Sequence, residues 1–375
     1  MPTKTLLAAL SAAAMLLPAT AFPQAVMPIL VGQSAPLSGS NKALGEDIRD
    51  GALAYFKKVN DAGGVNGRRI ELISLDDANN TKNAEANTLK LLEQPNLVAL
   101  FGYGSATLSR PALPHVEQAK VAFVAPFTGA APMRKFNRYV YNHRASYADE
   151  LEKIVQHYST IGAKRFAVLY YEDAVGKANR AVVETALKER GLAPVALAGV
   201  QRTQTDLSKE VAAMVKAQPD VVIATTLYKT TAEFVKLAQR QELIAQFVST
   251  SFAGSTALAD ALGKEGVGIV MTQVVPSVLN NTVPIVREYQ QASDKLLGKK
   301  DYSYTSLESY IAAKALVEAI RRAGRNPTRD SVLRALDDLG TYDAGGYTLT
   351  FTPTNHNGSS FVALTILTHD LKFRE

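Results

Sequence analysis

The chain has 375 residues, of which 47% are hydrophobic and 20% are charged. This length predicts two domains with cores large enough to fold without disulfide bonds or structural metal ions. It contains no Cys, which excludes disulfide scaffolds, thiolate metal sites and Cys nucleophiles. The formal net charge of +6 is a mild surplus of dispersed basic residues, so we interpret it as solvated surface and expect no nucleic-acid binding.

The first 21 residues are predicted to be a secretory signal peptide. Lys4 provides a positive start, 6–17 is a small and apolar run, Pro18 breaks it, and 19–21 supplies small residues at the cleavage spacing. A run of about 12 residues is too short to span a hydrocarbon core of about 30 Å. The segment therefore predicts export, and in a bacterial cell the location would be the periplasm, with a soluble mature chain.

From residue 28 onward, short β-branched runs alternate with longer helical patterns. Strands are predicted at 29–31, 70–75, 98–101, 122–125, 166–170, 195–200, 221–225 and 267–274. Helices are predicted after the 35–40 loop to about 60, and at 83–93, 107–119, 148–161, 177–190, 206–217, 230–241, 283–297 and 307–323. This alternation predicts an α/β fold with mainly parallel sheets, each covered by helices on both faces.

The C-terminal segment departs from this alternation. Residues 347–351 and 361–366 read as strands, and we predict that they form an antiparallel pair at the edge of the α/β core. No Pro/Gly/Ser linker separates two halves, which favours two three-layer lobes joined by a stiff hinge of several chain crossings. The predicted N-terminal lobe is 26–144 plus 276–343, and the C-terminal lobe is 145–275 plus 344–375.

Two glycine-containing loops follow predicted strands, at 102–107 and at 126–130. In open α/β sheets, ligands bind at the carboxyl ends of the strands, and such a loop can hold a carboxylate by its N–H groups at a helix start. A dinucleotide fingerprint would need a third glycine at 107, which is Thr, so we expect no cofactor. The alternative that these are only turn glycines and helix caps stays open.

Catalytic and metal-binding patterns are absent from the sequence. It has no Gly-x-Ser-x-Gly, His-Glu-x-x-His or P-loop, its five His are scattered, and Asp76-Asp77 is interpreted as a capping or lobe-contact feature. We therefore expect neither an enzyme nor a metal site. Several aromatic residues fall at or just after predicted strand ends, where they could line a ligand or pack the lobes together: Tyr103, Phe127, Tyr171, Tyr228 and Phe252.

Three segments carry a family resemblance. The run 33–39, the stretch Asn-Asp-Ala-Gly-Gly-Val-Asn-Gly-Arg at 60–68 and Asp76-Asp77 resemble the type I periplasmic binding proteins, in particular the branched-chain amino-acid receptors of ABC importers. The likeness covers about 26–375. It implies two lobes that close over a small ligand, docking of the closed form on a membrane permease, and capture without catalysis. We expect a monomer.

The resemblance also implies site residues. In that family, two first-lobe loops hold the ligand α-carboxylate through backbone N–H and hydroxyl groups, which correspond here to Ser105, Ala106, Thr107, Thr128 and Gly129. The main-chain carbonyl of Phe127 would face the α-ammonium. The second lobe supplies aromatic side chains, of which one position matches Tyr228 and another falls on Val175. Tyr103 and Phe252 are further candidates for packing against the ligand.

One position departs from the family pattern. The amino-acid receptors place an acidic side chain where this chain has Ser251, and no Asp or Glu lies between Glu242 and Asp260. Because an unpaired buried ammonium costs several kcal/mol, two ligands remain possible: an α-amino acid with another acceptor, or a carboxylate without an amine. A ligand-sensing regulator of the same fold is the alternative of another class, and the signal peptide argues against it.

Overall fold

The computed structural model describes residues 27–298 and 300–375, so the predicted signal peptide lies outside the described residues. The strands are β1 Ile29–Ala35, β2 Ile70–Asp76, β3 Leu97–Phe101, β4 Ala122–Val124, β5 Val140–Tyr141, β6 Phe166–Tyr171, β7 Pro194–Val200, β8 Val221–Ala224, β9 Gln246–Ser249, β10 Val270–Gln273, β11 Gly340–Asp343, β12 Thr348–Phe351, β13 Ala363–Leu367 and β14 Phe373–Arg374. The α-helices are α1 Lys42–Asp61, α2 Thr81–Leu92, α3 Ala106–Ser109, α4 Leu113–Ala119, α5 Ala131–Arg134, α6 Tyr147–Thr160, α7 Ala174–Lys188, α8 Ser208–Ala217, α9 Tyr228–Arg240, α10 Ser255–Leu262, α11 Pro284–Ala292, α12 Tyr304–Arg322 and α13 Arg329–Asp337.

The first lobe is built on a five-stranded parallel sheet in the order β2-β1-β3-β4-β5. Alternate residues of its central strands enter different cores, because successive side chains point to opposite faces of a strand. Phe101 and Val124 join the cluster that contains residues of α1 and α12, whereas Leu100 and Phe123 join the cluster that contains residues of α4. The lobe therefore has three layers, with helices on both faces of the sheet.

The second lobe has a seven-stranded sheet in the order β14-β13-β10-β9-β8-β6-β7. The strands from β7 to β10 are parallel, and β13 and β14 add an antiparallel edge. The predicted α/β class with mainly parallel sheets in two lobes is confirmed. The prediction that 347–351 and 361–366 pair with each other is wrong: β12 pairs with β11, and β13 pairs with β10 and β14. Hydrophobic alternation marks a strand but does not identify its partner.

Three chain segments run between the lobes and contact one another: the first at 142–144, the second at 274 and the third at 356–358. In the first, the Asn142 N–H donates to His356 O at 2.8 Å, and the Gly358 N–H of the third segment donates to Asn142 O at 2.7 Å. The Tyr347 hydroxyl lies 3.3 Å from His143 O and 3.0 Å from Val274 O, so it joins the first and second segments. These backbone and Tyr347 side-chain contacts crosslink the three segments of the hinge.

The contacts of the β11–β12 hairpin indicate where the third segment between the lobes begins. Phe351 packs edge-on against Tyr141 of β5, with ring centroids 5.5 Å apart, and the Lys314 ammonium of α12 donates to Ala344 O at 2.8 Å. Both partners belong to the first lobe. We infer that the third crossing follows Phe351 instead of starting at residue 344.

None of the described helices is long and apolar enough to cross a bilayer.

Candidate functional site

The first predicted loop follows β3 and opens a helical stretch. Gly102 has φ +65°, a conformation that glycine adopts without strain, and it redirects the chain after the strand. Ser105 caps α3 by accepting a hydrogen bond from the Leu108 N–H at 3.3 Å. The first N–H groups of a helix have no partner within it, so Ser105, Ala106 and Thr107 present such groups at the carboxyl edge of the sheet. Thr107 is exposed and Ala106 is buried.

Tyr103 lies in the same loop, but its side chain is engaged within the first lobe. The ring is fully buried and packs edge-on against Phe123, with ring centroids 4.8 Å apart. Its hydroxyl lies 2.9 Å from Thr88 Oγ1 of α2. The ring and the hydroxyl thus stabilise the core beneath the loop, and the sequence alone did not separate this role from a ligand contact.

The second predicted loop is held against the first lobe-to-lobe segment. The Phe127 N–H donates to Tyr103 O at 2.9 Å, which ties the two loops together. Thr128 Oγ1 accepts from the Ala130 N–H at 3.1 Å and donates to the Tyr147 hydroxyl at 3.4 Å. The Tyr147 N–H donates to Gly129 O at 2.9 Å. A Cβ on Gly129 would lie 2.6 Å from Tyr147 N, so only glycine permits this approach.

The second lobe brings three predicted residues to the facing side. Asp173 caps α7 by accepting from the Val175 N–H at 3.0 Å, which places Val175 in the first helical turn. Phe252 follows β9, and its ring packs edge-on against Tyr147 with centroids 5.4 Å apart. Val175 and Phe252 both pack against the first-lobe cluster that contains Tyr103, and half-buried Tyr228 begins α9. Val175 and Phe252 therefore adjoin the cluster that contains Tyr103, whereas Tyr228 packs against the larger core cluster.

Ser251 contacts an acidic side chain that the local sequence does not reveal. Glu150, in the first turn of α6, accepts from the Ser251 N–H and from Ser251 Oγ, both at 2.8 Å. Thr272 Oγ1 of β10 also donates to it. Glu150 is completely buried. The sequence does contain one indication of this buried contact. Glu150 lies on the same helix face as Ile154 and Tyr158, where a charged residue is unexpected.

Arg144 completes a buried group of charges at the hinge. Its Nη2 lies 3.1 Å from Glu150 Oε1 and donates to Ser251 Oγ, and its Nη1 lies 3.4 Å from Glu308 Oε1 of α12. His143 Nε2 lies 2.8 Å from the same Glu308 oxygen. Arg144 is 5% exposed. This guanidinium therefore bridges carboxylates of the two lobes, directly beside Ser251. We call Arg144, Glu150, Glu308 and His143 the hinge charge cluster.

The pKa shifts within the hinge charge cluster follow from burial and pairing. Burial opposes the charged form of Arg144, but the carboxylates of Glu308 and Glu150 outweigh it and raise the pKa of the guanidinium. Burial also opposes ionisation of Glu308, yet Arg144 and His143 lower the pKa of that carboxyl overall. Burial lowers the pKa of His143, so its ring is neutral near pH 7 and donates from Nε2 to Glu308.

Some polar atoms of this region have no hydrogen-bond partner among the described residues. They include Arg144 Nε, His143 Nδ1 and Thr250 Oγ1, and all three are buried. Buried polar groups normally find a partner, so each of these atoms calls for an explanation. Within 27–298 and 300–375, no group of three or more His, Asp or Glu lies where it could share a metal ion.

Comparisons with known proteins identify the family and agree with the two-lobed fold. The family model described as "Periplasmic binding protein" matches residues 28–368. The chain belongs to this family. A crystallised substrate-binding periplasmic protein from Ralstonia solanacearum has 32% sequence identity and a TM-score of 0.84, with 91% of this chain and 98% of that chain covered.

Two further relatives extend the agreement. A possible leucine/isoleucine/valine-binding protein from Rhodopirellula baltica SH 1 has 29% identity and a TM-score of 0.86, covering 93% of this chain and 96% of that chain. The Leu/Ile/Val-binding protein homolog 7 of Brucella melitensis biotype 1 is 27% identical, covering 94% of this chain and 91% of its own length. The predicted resemblance to the branched-chain amino-acid receptors is confirmed, and this is a family of binding proteins and not of enzymes.

Proposed function

We propose that this chain is the periplasmic substrate-binding component of an ABC importer, and that it captures a small solute by its carboxylate. The observation that supports this proposal is the convergence of the two first-lobe loops on residues of the second lobe. Thr128 contacts Tyr147 at the start of α6, and Phe252 packs on the same tyrosine. A solute held between these elements would contact both lobes at once.

In this proposal, the backbone N–H groups of Ser105, Ala106 and Thr107 and the Thr128 hydroxyl hold the ligand carboxylate, with Gly129 allowing the close approach. Tyr228, Val175 and Phe252 would cover the ligand from the second lobe. Bending at the three crosslinked segments would open and close the cleft. The closed form would then dock on the permease as a monomer, and we expect no turnover of the ligand.

Two ligand chemistries fit the first-lobe loops. The names of the relatives, which include Leu/Ile/Val-binding protein homologs, favour a branched-chain amino acid. Ser251 and the adjacent Arg144 favour a carboxylate without an amine, because a guanidinium lies beside Ser251 and the nearby Glu150 carboxylate already accepts from other donors. The carboxylate is common to both, and it defines the proposed function.

A thermal-shift screen of amino acids against aliphatic and aromatic acids, followed by calorimetry, tests the proposal. A ligand that binds only the folded protein raises its melting temperature in a concentration-dependent manner. Thr128→Val should reduce the affinity for the best carboxylate at least tenfold, whereas Thr185→Val, on the exposed side of α7, should leave it unchanged. If no carboxylate stabilises the protein, the proposed capture of a carboxylate is wrong.

A further inference from the structure

At Ser251, where the family resemblance implies an acid, the hydroxyl and the neighbouring Glu150 carboxylate are already engaged. Ser251 Oγ donates to Glu150 Oε1 and accepts from Arg144 Nη2. Glu150 also accepts from the Ser251 N–H and from Thr272 Oγ1, so both of its oxygens already hold two donors each. An ammonium is a donor without acceptor capacity. It would find no unoccupied oxygen in these contacts, and it would face the guanidinium.

The same place offers donors instead. The guanidinium of Arg144 is always protonated, so its partnerless Nε carries a hydrogen. The Thr250 hydroxyl, immediately before Ser251, is buried and partnerless as well; it can donate to a ligand oxygen, although it can also accept, so Arg144 Nε is the donor that excludes an amine. A buried donor without an acceptor is costly, and a ligand oxygen would remove that cost. Two such atoms beside one contact, between Arg144 and Ser251, are an independent indication of a ligand group.

The charges of the cluster limit which oxygen can bind. Arg144 contributes one positive charge, Glu150 and Glu308 contribute two negative charges, and His143 is neutral because burial lowers its pKa. The two buried carboxylates of the cluster disfavour a further carboxylate at this point, and the Arg144 guanidinium beside Ser251 disfavours an ammonium. A neutral oxygen, either a carbonyl or a hydroxyl, satisfies the donors without adding charge.

We infer that this protein selects 2-oxo or 2-hydroxy carboxylic acids over the corresponding amino acids, with Arg144 and Thr250 donating to the oxygen at the second carbon. The inference rests on the proposed function, because it assumes that the first-lobe loops hold the carboxylate. The oxygen would then occupy the position of the α-amine in an amino acid. Arg144 and Thr250 would be the residues that determine specificity.

Calorimetric titration of the purified protein at pH 7.5 with two matched ligand series tests the inference. One series is 4-methyl-2-oxopentanoate, 2-hydroxy-4-methylpentanoate, 4-methylpentanoate and leucine, and the other is the corresponding set built on 3-phenylpropanoate. In the series that binds, the oxo or hydroxy acid should bind at least tenfold more tightly than the amino acid. If the amino acid binds most tightly, the inference is wrong and the proposed function stands. If no member of either series binds but another carboxylate raises the melting temperature, the inference is wrong and the proposed function stands; if no carboxylate does so, both are wrong.

Two variants sharpen the test. Thr250→Val replaces the hydroxyl with a methyl group and should weaken the oxo acid several-fold while leaving 4-methylpentanoate unchanged, because only the oxo acid accepts from Thr250. Thr226→Val is the matched control, since its hydroxyl pairs with Thr231 at 2.8 Å within the second lobe, and it should not alter this ratio. Ser251→Asp should shift the preference toward the amine at least tenfold. An unchanged ratio in both test variants overturns the inference.

Discussion

In the proposed function, the two walls of the cleft would recognise a ligand by different means. The first-lobe wall consists of loop backbone and hydroxyl groups, held by short contacts such as Tyr147 N–H to Gly129 O at 2.9 Å. The wall at Ser251 is supported by buried charges from distant helices, with Glu150 coming from α6 and Glu308 from α12. The backbone wall suits any carboxylate, whereas the charged wall distinguishes what lies beside it. Under the proposal, carboxylate binding and ligand selectivity would thus depend on different walls.

Disrupting the charged wall should reduce the free energy of unfolding more than disrupting the backbone wall. Arg144→Met removes the cation that bridges Glu150 and Glu308 and leaves both carboxylates buried without it. Breaking a buried ion pair by removing one partner costs about 3–5 kcal/mol, so we expect a loss of that size in the free energy of unfolding. Urea denaturation of the ligand-free protein measures it.

The matched control for this substitution is Arg334→Met, which breaks an exposed ion pair with Asp330 on α13. Exposed pairs of this type contribute a few tenths of a kcal/mol, so the control should change stability by less than about 0.5 kcal/mol. A similar loss in both variants would contradict the view that the hinge charge cluster stabilises the fold through buried pairing.

Adding one methyl group at Gly129 should displace the loop that forms the backbone wall. Gly129→Ala would place Cβ 2.6 Å from Tyr147 N and 3.0 Å from Ser146 C, and neither backbone atom can move without shifting the hinge segment. Overpacking of this kind costs about 1–3 kcal/mol, and the displaced loop should also lose at least tenfold in carboxylate affinity.

Gly32→Ala separates these two effects. A Cβ at this position would approach only side-chain ends, of Leu91, Leu97 and Leu100, at 3.0–3.1 Å. It should therefore reduce stability less than Gly129→Ala and leave the affinity unchanged. Equal affinities in the two variants would show that the Gly129 loop does not contact the ligand carboxylate.

The contrast between the backbone wall and the charged wall also explains which features the sequence could predict. Periodicity located β3, β4 and the loops after them, because local patterns determine strands, turns and caps. It could not pair β12 with β11, nor place Glu150 beside Ser251, 101 residues away. A carboxylate on an otherwise apolar helix face indicates a buried polar contact. Its partner depends on the packing of whole lobes, which no local pattern contains.

The charged wall also predicts a pH dependence. Burial lowers the pKa of His143 in the folded protein, while the unfolded residue titrates near its usual value of about 6.5. Below that pH the unfolded state binds more protons, so the free energy of unfolding falls as the pH falls. One such group contributes a slope of at most about 1.4 kcal/mol per pH unit. Urea titrations from pH 7.5 to 5.5 measure this slope.

His143→Gln retains a donor for Glu308 and removes the titrating ring, so it should reduce the slope. His157→Gln, on the exposed surface of α6, should leave the slope at its wild-type value. Part of the slope should remain in His143→Gln, because burial also lowers the pKa of His356. A slope that is identical in the wild type and in His143→Gln would mean that His143 is not the buried neutral group described here.

The smallest effect is expected for substitution of Tyr103, which distinguishes a role in the core from a role in ligand binding. Tyr103→Phe removes the contact of its hydroxyl with Thr88 Oγ1, but Thr88 retains its bond to Ala84 O at 2.7 Å. The expected loss is about 1 kcal/mol in stability, with no change in ligand affinity, because the ring remains packed on Phe123. Tyr228→Ala should do the opposite, lowering affinity with less effect on the fold. An affinity change above about threefold in Tyr103→Phe would return this residue to the ligand site.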